Sequence, residues 1–202
     1  MVRNERLEPG AEAQPSPARG PAGDDLYMIR PTLDDLPVVA FPEGYGMRPM
    51  RLDEAGLWTD IQRDAEPFFQ VQSEWFQQQF GSDAAVVAQR CYLIVNARGV
   101  AVGAISAWHN DNYHGESWGQ VHWLAVRPAY QRLGLARAAL AYCLAQLARW
   151  HSRAYLGTQS ARIGAIRLYL AAGFRPDLDH PGAREAWLAL RDKVGYPELA
   201  DL

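Results

Sequence analysis

From Tyr45 onward, segments with apolar residues at every second position alternate with segments where they recur every third or fourth. YGMRPM (45–50) predicts a short strand. RLDEAGLWTDIQRDAE carries Leu57, Ile61 and Ala65 at helical spacing, and VQSEWFQQQF predicts a second helix ended by Gly81. Two strands follow, CYLIVN (91–96) and VAVGAISAWH (100–109), joined by Ala97-Arg98-Gly99, a short hairpin connection containing glycine. NDNYHGES reads as a polar loop, and GQVHWLAV (119–126) as a strand whose extension Pro128 limits. A helix over 134–150 places Leu135, Ala139, Leu140, Cys143, Leu144 and Leu147 on one stripe. RAYLGT (153–158) is a further strand. A helix over about 161–172 has Ser160 as its N-cap and stops at Gly173, suited to a left-handed cap. The order ββ, β-helix-β, helix predicts a mixed α/β fold with one crossover unit.

Both ends depart from this pattern. Residues 1–24 are rich in Pro, Gly, Ala and charge, too poor in large apolar side chains to offset their ordering entropy, and are expected to be a disordered tail. Residues 25–44 form an extended, proline-punctuated arm with a short strand candidate, LYMIRP (26–31). The domain proper is expected over 45–202, ending in PGAREAWLALRDKVGY, which reads as a C-terminal helix.

At 202 residues and 49% hydrophobic composition, the chain can bury one real core. A net charge of −3 without a block of Lys or Arg argues against nucleic acid, though not against a small cluster for a phosphorylated ligand. Cys91 and Cys143 lie in apolar segments far apart, which is neither a disulfide framework nor a zinc ribbon. No apolar run approaches the roughly 18 residues of a membrane span, and no signal-peptide core precedes the domain. The expectation is a reduced, cytoplasmic protein, monomeric or homodimeric, with no membrane partner.

The chemistry concentrates in AYQRLGLARAAL (129–140), where a strand turns into a helix at Gly134. Helix N-termini leave N–H groups unpaired and carry partial positive charge, which suits phosphate oxygens. A glycine at 134 lets a ligand reach the backbone, Ala136 keeps the first turn narrow, and Arg132 and Arg137 can add charge-assisted contacts. No Gly-Lys-Ser/Thr follows, which excludes a Walker A loop, and no G-x-G-x-x-G is present. On these residues alone, a phosphate seat and a plain turn glycine are both open.

Two further segments decide between them. Gln131-x-x-Gly134-x-Ala136, after a strand ending Leu124-Ala125-Val126-x-Pro128, resembles the acyl-CoA-binding motif of the GNAT superfamily of N-acyltransferases. Ala165-Ile166-Arg167-Leu168-Tyr169-x-x-x-Gly173-Phe174 is similar to a second segment of the same family, in the expected order, and the resemblance covers about residues 45–176. It implies a GNAT-like fold, a mixed and mostly antiparallel sheet with a β-helix-β crossover and flanking helices. It also implies an N-acetyltransferase that moves an acetyl group from acetyl-CoA to a primary amine, a small molecule or a peptide, by direct attack in a ternary complex.

Carried over residue by residue, the resemblance gives main-chain N–H groups of Gln131, Arg132, Leu133, Gly134, Leu135 and Ala136 to the pyrophosphate of coenzyme A. It lays the pantetheine arm along Leu124, Ala125 and Val126, and makes Tyr169 the acid that protonates the departing thiolate. Strand alternation places Gln120, His122, Leu124 and Val126 on one face. Gln120 stands where some members have a glutamate base, so His122 is the remaining candidate base, against the alternative of a structural histidine. Arg162 stands where the family often has asparagine; it could bind a cofactor phosphate or an acceptor carboxylate, or stay solvated.

The acceptor is read only from Glu66, Phe68, Phe69, Trp75, Phe76, Tyr113, His114 and Glu116, several of which suit the core equally well. His109 and His114 flank the polar loop at a spacing that does not suit zinc, and no metal is expected. Two other readings are a catalytically silent acyl-CoA-binding module, which Gln120 favours, and a nucleotide- or phosphosugar-binding protein, which ignores the second motif.

Overall fold

The computed structural model describes Gly23 and residues 25–195; apart from Gly23, the expected tail over 1–24 lies outside the described residues. Strands β1 (Asp25–Arg30), β2 (Tyr45–Pro49), β3 (Cys91–Asn96), β4 (Ala101–Tyr113), β5 (Glu116–Val126), β6 (Ala154–Gln159) and β7 (Arg175–Pro176) form one sheet. Their order is β2-β3-β4-β5-β6-β1-β7, and β5–β6 is the parallel pair in an otherwise antiparallel sheet. The fold is mixed α/β, as the pattern predicts, and mostly antiparallel, as the family resemblance implies.

Helices cover both faces. α1 (Ala55–Ala65), α2 (Trp75–Phe80) and α3 (Ala84–Arg90) cover one, burying Trp58, Ile61, Phe76, Phe80 and Val87 against the sheet. α4 (Leu135–Leu147), α5 (Ile163–Ala171) and α6 (Ala183–Val194) pack on the other, around Leu140, Leu144, Ile166 and Trp187. With both faces covered, β4 is buried without alternation from Ala101 to Ala107. Among the described residues no helix is long and apolar enough to cross a membrane.

Four features differ from the sequence pattern. The strand candidate within the expected arm is a strand, but it belongs to the main sheet and not to a separate arm: β1 pairs with β6 over six positions, and Leu26 and Met28 are buried. The expected polar loop over 110–117 is instead the end of the β4–β5 hairpin, which closes at His114 and Gly115, both at positive φ. That is the geometry of a two-residue hairpin turn, and the residues on either side of it are mostly polar. α3 was not anticipated, although the Asp83 carboxylate caps it by accepting from the N–H groups of Ala85 and Val86 at 2.8 and 3.2 Å. α5 begins at Ile163 with Arg162, not Ser160, at its N-cap.

Candidate active site

Strands β5 and β6 pair only at Gly119–Ala154 and Gln120–Tyr155 among the described residues. Beyond Gln120 the two part, and β6 continues to Gln159 hydrogen-bonded to β1 alone. The divergence coincides with a bulge. Ala104 faces Ala125 and Ser106 faces His122, so Trp123 and Leu124 stand opposite the single residue Ile105. Trp123 has φ of 51°, a conformation that costs a bulky residue on the order of 1–3 kcal/mol. It is held there by the Gln62 side-chain amide, which donates to its carbonyl at 3.0 Å, and by the Trp58 ring 5.1 Å away. On the neighbouring strand, a Cβ at Gly103 would lie 2.6 Å from the Ala125 carbonyl oxygen, so this close approach requires glycine.

The bulge corrects the expected strand faces. His122 and Trp123 both meet the α1–α2 side, His122 edge-on to Phe80 at 5.8 Å. Leu124 and Val126 turn to the α4 side, and Ala125 back to the α1 side. Simple alternation fails because the extra residue shifts the period by one.

Past Val126 the chain makes a short turn and enters α4. Arg132 and Gly134 are both left-handed, at φ of 65° and 83°, and flank the exposed Leu133. The first main-chain bond of the helix runs from the Ala138 N–H to the Gly134 carbonyl at 3.1 Å, so the N–H groups just before Ala138 are the unpaired donors of the N-terminus. A Cβ at Gly134 would meet no protein atom within 4 Å, so the glycine serves its backbone angle and leaves open the space above the turn. The Gln131 side-chain amide donates to the Val126 carbonyl at 2.9 Å and ties the turn to β5. Arg132 and Arg137 are exposed.

A cavity of about 720 Å³ runs from this divergence toward the hairpin end and brings together His122, Leu124, Arg162 and Tyr169. Residues 131–137, Ala125 and Val126 do not line it. Tyr169 is 8% exposed, and burial pushes its phenol up to about 12 against the opposing pull of the Arg162 charge. His122 is hydrogen-bonded through both ring nitrogens: Nε2 lies 2.8 Å from Gln79 Oε1, and Nδ1 lies 3.3 Å from Gln120 Nε2. The network is consistent with Nε2–H donating to Gln79 and Nδ1 accepting from Gln120. Burial pushes this imidazole down to about 3, so it is neutral at any ordinary pH.

Arg162 does not present a free charge. Its guanidinium pairs with Glu66 at 2.6 Å, donates to Gln159 Oε1 at 2.6 Å, and lies over the Phe68 ring. Glu66 and Phe68, read as acceptor-side candidates, are thereby joined to the start of α5. Phe76 is core, 2% exposed. Both thiols are buried, which raises Cys91 to about 11 and Cys143 further still, so each stays protonated.

The profile of the Acetyltransferase (GNAT) family matches residues 55–174, more than half of the chain. The chain belongs to the GNAT acetyltransferase family. Among solved structures, the GNAT domain is similar to a GCN5-related N-acetyltransferase from Sphaerobacter thermophilus, with 23% identity and a TM-score of 0.60 over 76% of this chain and 48% of that one. A GNAT-family acetyltransferase from Colwellia psychrerythraea gives 14% identity and a TM-score of 0.59 over 75% and 52%. The ribosomal-protein-S18-alanine N-acetyltransferase from Escherichia coli gives 19% and 0.54 over 65% and 77%. At these identities the likeness is one of fold. The chain spans about half the length of the first two, and no curated protein matches it.

The GNAT domain also holds a polar cluster that no sequence motif announced. At the hairpin end, the Asp177 carboxylate is 1% exposed, and its Oδ2 accepts from the Tyr113 hydroxyl at 2.5 Å. His114 Nε2 lies 2.6 Å from the same oxygen and His180 Nε2 lies 3.4 Å from it. Burial raises the Asp177 carboxyl, but hydrogen bonds from Tyr113, His114 and the Asp179 N–H outweigh it and hold it below its ordinary value. Tyr113 and His114 are 64 and 63 residues from Asp177, so the available signal was only the short Asp177-x-x-His180 spacing.

Proposed function

We propose that this GNAT domain is an N-acetyltransferase that moves an acetyl group from acetyl-CoA to a primary amine by direct attack in a ternary complex. The observation that carries the reading is the parting of β5 from β6 immediately after Gln120, beside a strained bulge and ahead of the open N-terminus of α4. An extended thiol-terminated arm needs such a gap, and its phosphates need the unpaired N–H groups at the end of it.

In this reading the backbone of Gln131, Arg132, Leu133, Gly134, Leu135 and Ala136 holds the pyrophosphate, with Arg132 and Arg137 adjoining. The arm lies along Leu124, Ala125 and Val126, where a main-chain N–H polarises the thioester carbonyl as charge develops on its oxygen. The free amine attacks the carbonyl carbon, the C–N bond forms, the C–S bond breaks, and the departing thiolate takes the proton of Tyr169. Burial keeps the phenol protonated at neutral pH, so the proton is present to be given, while the same shift makes its transfer to a thiolate less favourable than from an ordinary tyrosine. The nitrogen's surplus proton leaves to solvent, and Tyr169 is reprotonated from there. Two buried, protonated thiols support direct transfer over an acyl-cysteine route.

The environment of His122 supports a positioning role in place of the proton acceptor that the sequence suggested. Both of its nitrogens are engaged, and an imidazole pushed down to about 3 is too weak a base to take a proton from an amine. Arg162, paired with Glu66, is likewise read as bracing the cavity wall, not as binding phosphate. The test is release of free thiol from acetyl-CoA with pooled primary amines, small molecules and peptides. Amine-dependent release is expected; protection by coenzyme A against heat without any release indicates a silent binding module instead.

A further inference from the structure

At the hairpin end of the cavity three side chains that share no sequence motif converge. The ligand atoms of His114, Asp177 and His180 all lie within 4.8 Å of one another. His114 Nε2 lies 2.6 Å and His180 Nε2 3.4 Å from Asp177 Oδ2, His180 Nε2 also lies 3.1 Å from the Tyr113 hydroxyl, and Oδ1 accepts the Asp179 N–H at 3.2 Å. Each partner is also held in place. His180 stacks on Tyr27 with ring centroids 4.1 Å apart, and Tyr113, which donates to Asp177, stacks on Tyr155 at 3.8 Å. His114 sits at the tip of the turn, at φ of 51°, where its backbone directs the ring back across the hairpin toward Asp177.

We propose that His114, Asp177 and His180 form a binding site for a divalent transition-metal ion of the zinc class. Two imidazoles and one carboxylate are a donor set such ions take, with the remaining coordination positions left to water or substrate. Around a four-coordinate ion with bonds of about 2.0–2.2 Å, neighbouring donors stand about 3.3 Å apart. The His180–Asp177 separation of 3.4 Å already has that spacing. The His114–Asp177 separation of 2.6 Å must open by about 0.7 Å. His114 is on a two-residue turn and 32% exposed, so that adjustment is small. Binding takes the Nδ1–H tautomer of both histidines, which puts each Nε2 lone pair on the ion. The Tyr113 hydroxyl stays on the carboxylate and fixes its orientation, a support that metal-binding carboxylates ordinarily have. His114 and His180 line the cavity, so the open positions face it. The ion ties the β4–β5 hairpin to the segment between β7 and α6, which are otherwise held together here by hydrogen bonds.

Tag-free, chelator-treated protein should be titrated with ZnCl2 and, separately, CoCl2, following equilibrium binding, melting temperature and the visible absorption of bound cobalt. One ion per chain, a raised melting temperature and a ligand-field cobalt spectrum are expected. His180→Ala, at a side chain 31% exposed, should abolish all three, whereas His109→Ala, on the same hairpin outside the cluster, should leave them intact. Asp177→Asn should do as His180→Ala does. Since Asp177 is buried and that variant can fail to fold, the wild-type titration and His180→Ala decide on their own. Folded wild-type protein that binds neither ion stoichiometrically overturns the site, as does binding that survives in both His114→Ala and His180→Ala; the cluster is then a hydrogen-bonded pin alone.

Discussion

At the scale of single residues, the most exposed expectations concern Tyr169, His122 and Gly134. Tyr169→Phe removes a proton and leaves the buried ring, so turnover should fall roughly 10²-fold with the melting temperature little changed. Undiminished turnover takes Tyr169 out of the mechanism. For His122 the decisive measurement is the pH dependence of kcat/KM. An imidazole near 3 cannot produce a limb around 6.5, so the profile should rise with the free fraction of the acceptor amine, and His122→Gln should keep its shape. A limb near 6.5 that disappears in His122→Gln restores the histidine as the base. Gly134→Ala puts a Cβ where no protein atom lies, at φ of 83°. It should cost about 1–2 kcal/mol of stability from the backbone angle and weaken acetyl-CoA binding further by intruding on the phosphates. A stability loss with unchanged KM for acetyl-CoA leaves Gly134 as a turn residue only.

At the scale of elements, the bulge in β5 is the device on which the proposed site depends. It breaks the pairing register, turns His122 and Trp123 to the same side, and coincides with the point where β6 departs. Gln62, 4% exposed, holds it by donating to the Trp123 carbonyl. Gln62→Leu removes that donor from the part-buried carbonyl, which should cost about 1 kcal/mol by urea denaturation and lower kcat. A stability loss without change in kcat separates the bulge from the chemistry. The hydrophobic pattern gave the element types well, because long runs such as Leu135–Leu147 bury one wide stripe. It missed the strand ends over 110–117, whose residues are mostly polar, and α3, which is only seven residues long.

At the scale of the whole molecule, stability should fall with acid in two overlapping stages. The His122 pKa is lower in the folded state, about 3, than its ordinary 6.5. Its contribution is complete above pH 6.5 and is lost as pH falls toward 3, at up to about 1.4 kcal/mol per pH unit. Glu54 is held at about 2 by the Arg48 guanidinium, with burial opposing and the Arg51 N–H assisting, so its contribution is lost between 4.5 and 2. The urea midpoint should therefore drop from pH 7 to pH 5, before Glu54 titrates, and His122→Gln should flatten that first decline. An equal decline in the variant assigns it to other groups.

The sequence by itself determined the order and type of most elements, the family, and the segment at which a phosphate-bearing ligand is proposed to sit. Each of these rests on near neighbours in the chain: a stripe three or four residues apart, or a glycine one residue before a helix. Tertiary structure alone decided which charges are free and which side of a strand a residue faces. Arg162 meets Glu66 across 96 residues, and His114 meets Asp177 across 63. The hydrogen bonds of His122 to Gln79 and its burial depend on how α2 lies over β5, and a one-residue bulge reverses the faces that alternation assigns. Pairing, burial and register are set by packing between distant segments, and local periodicity carries no record of them.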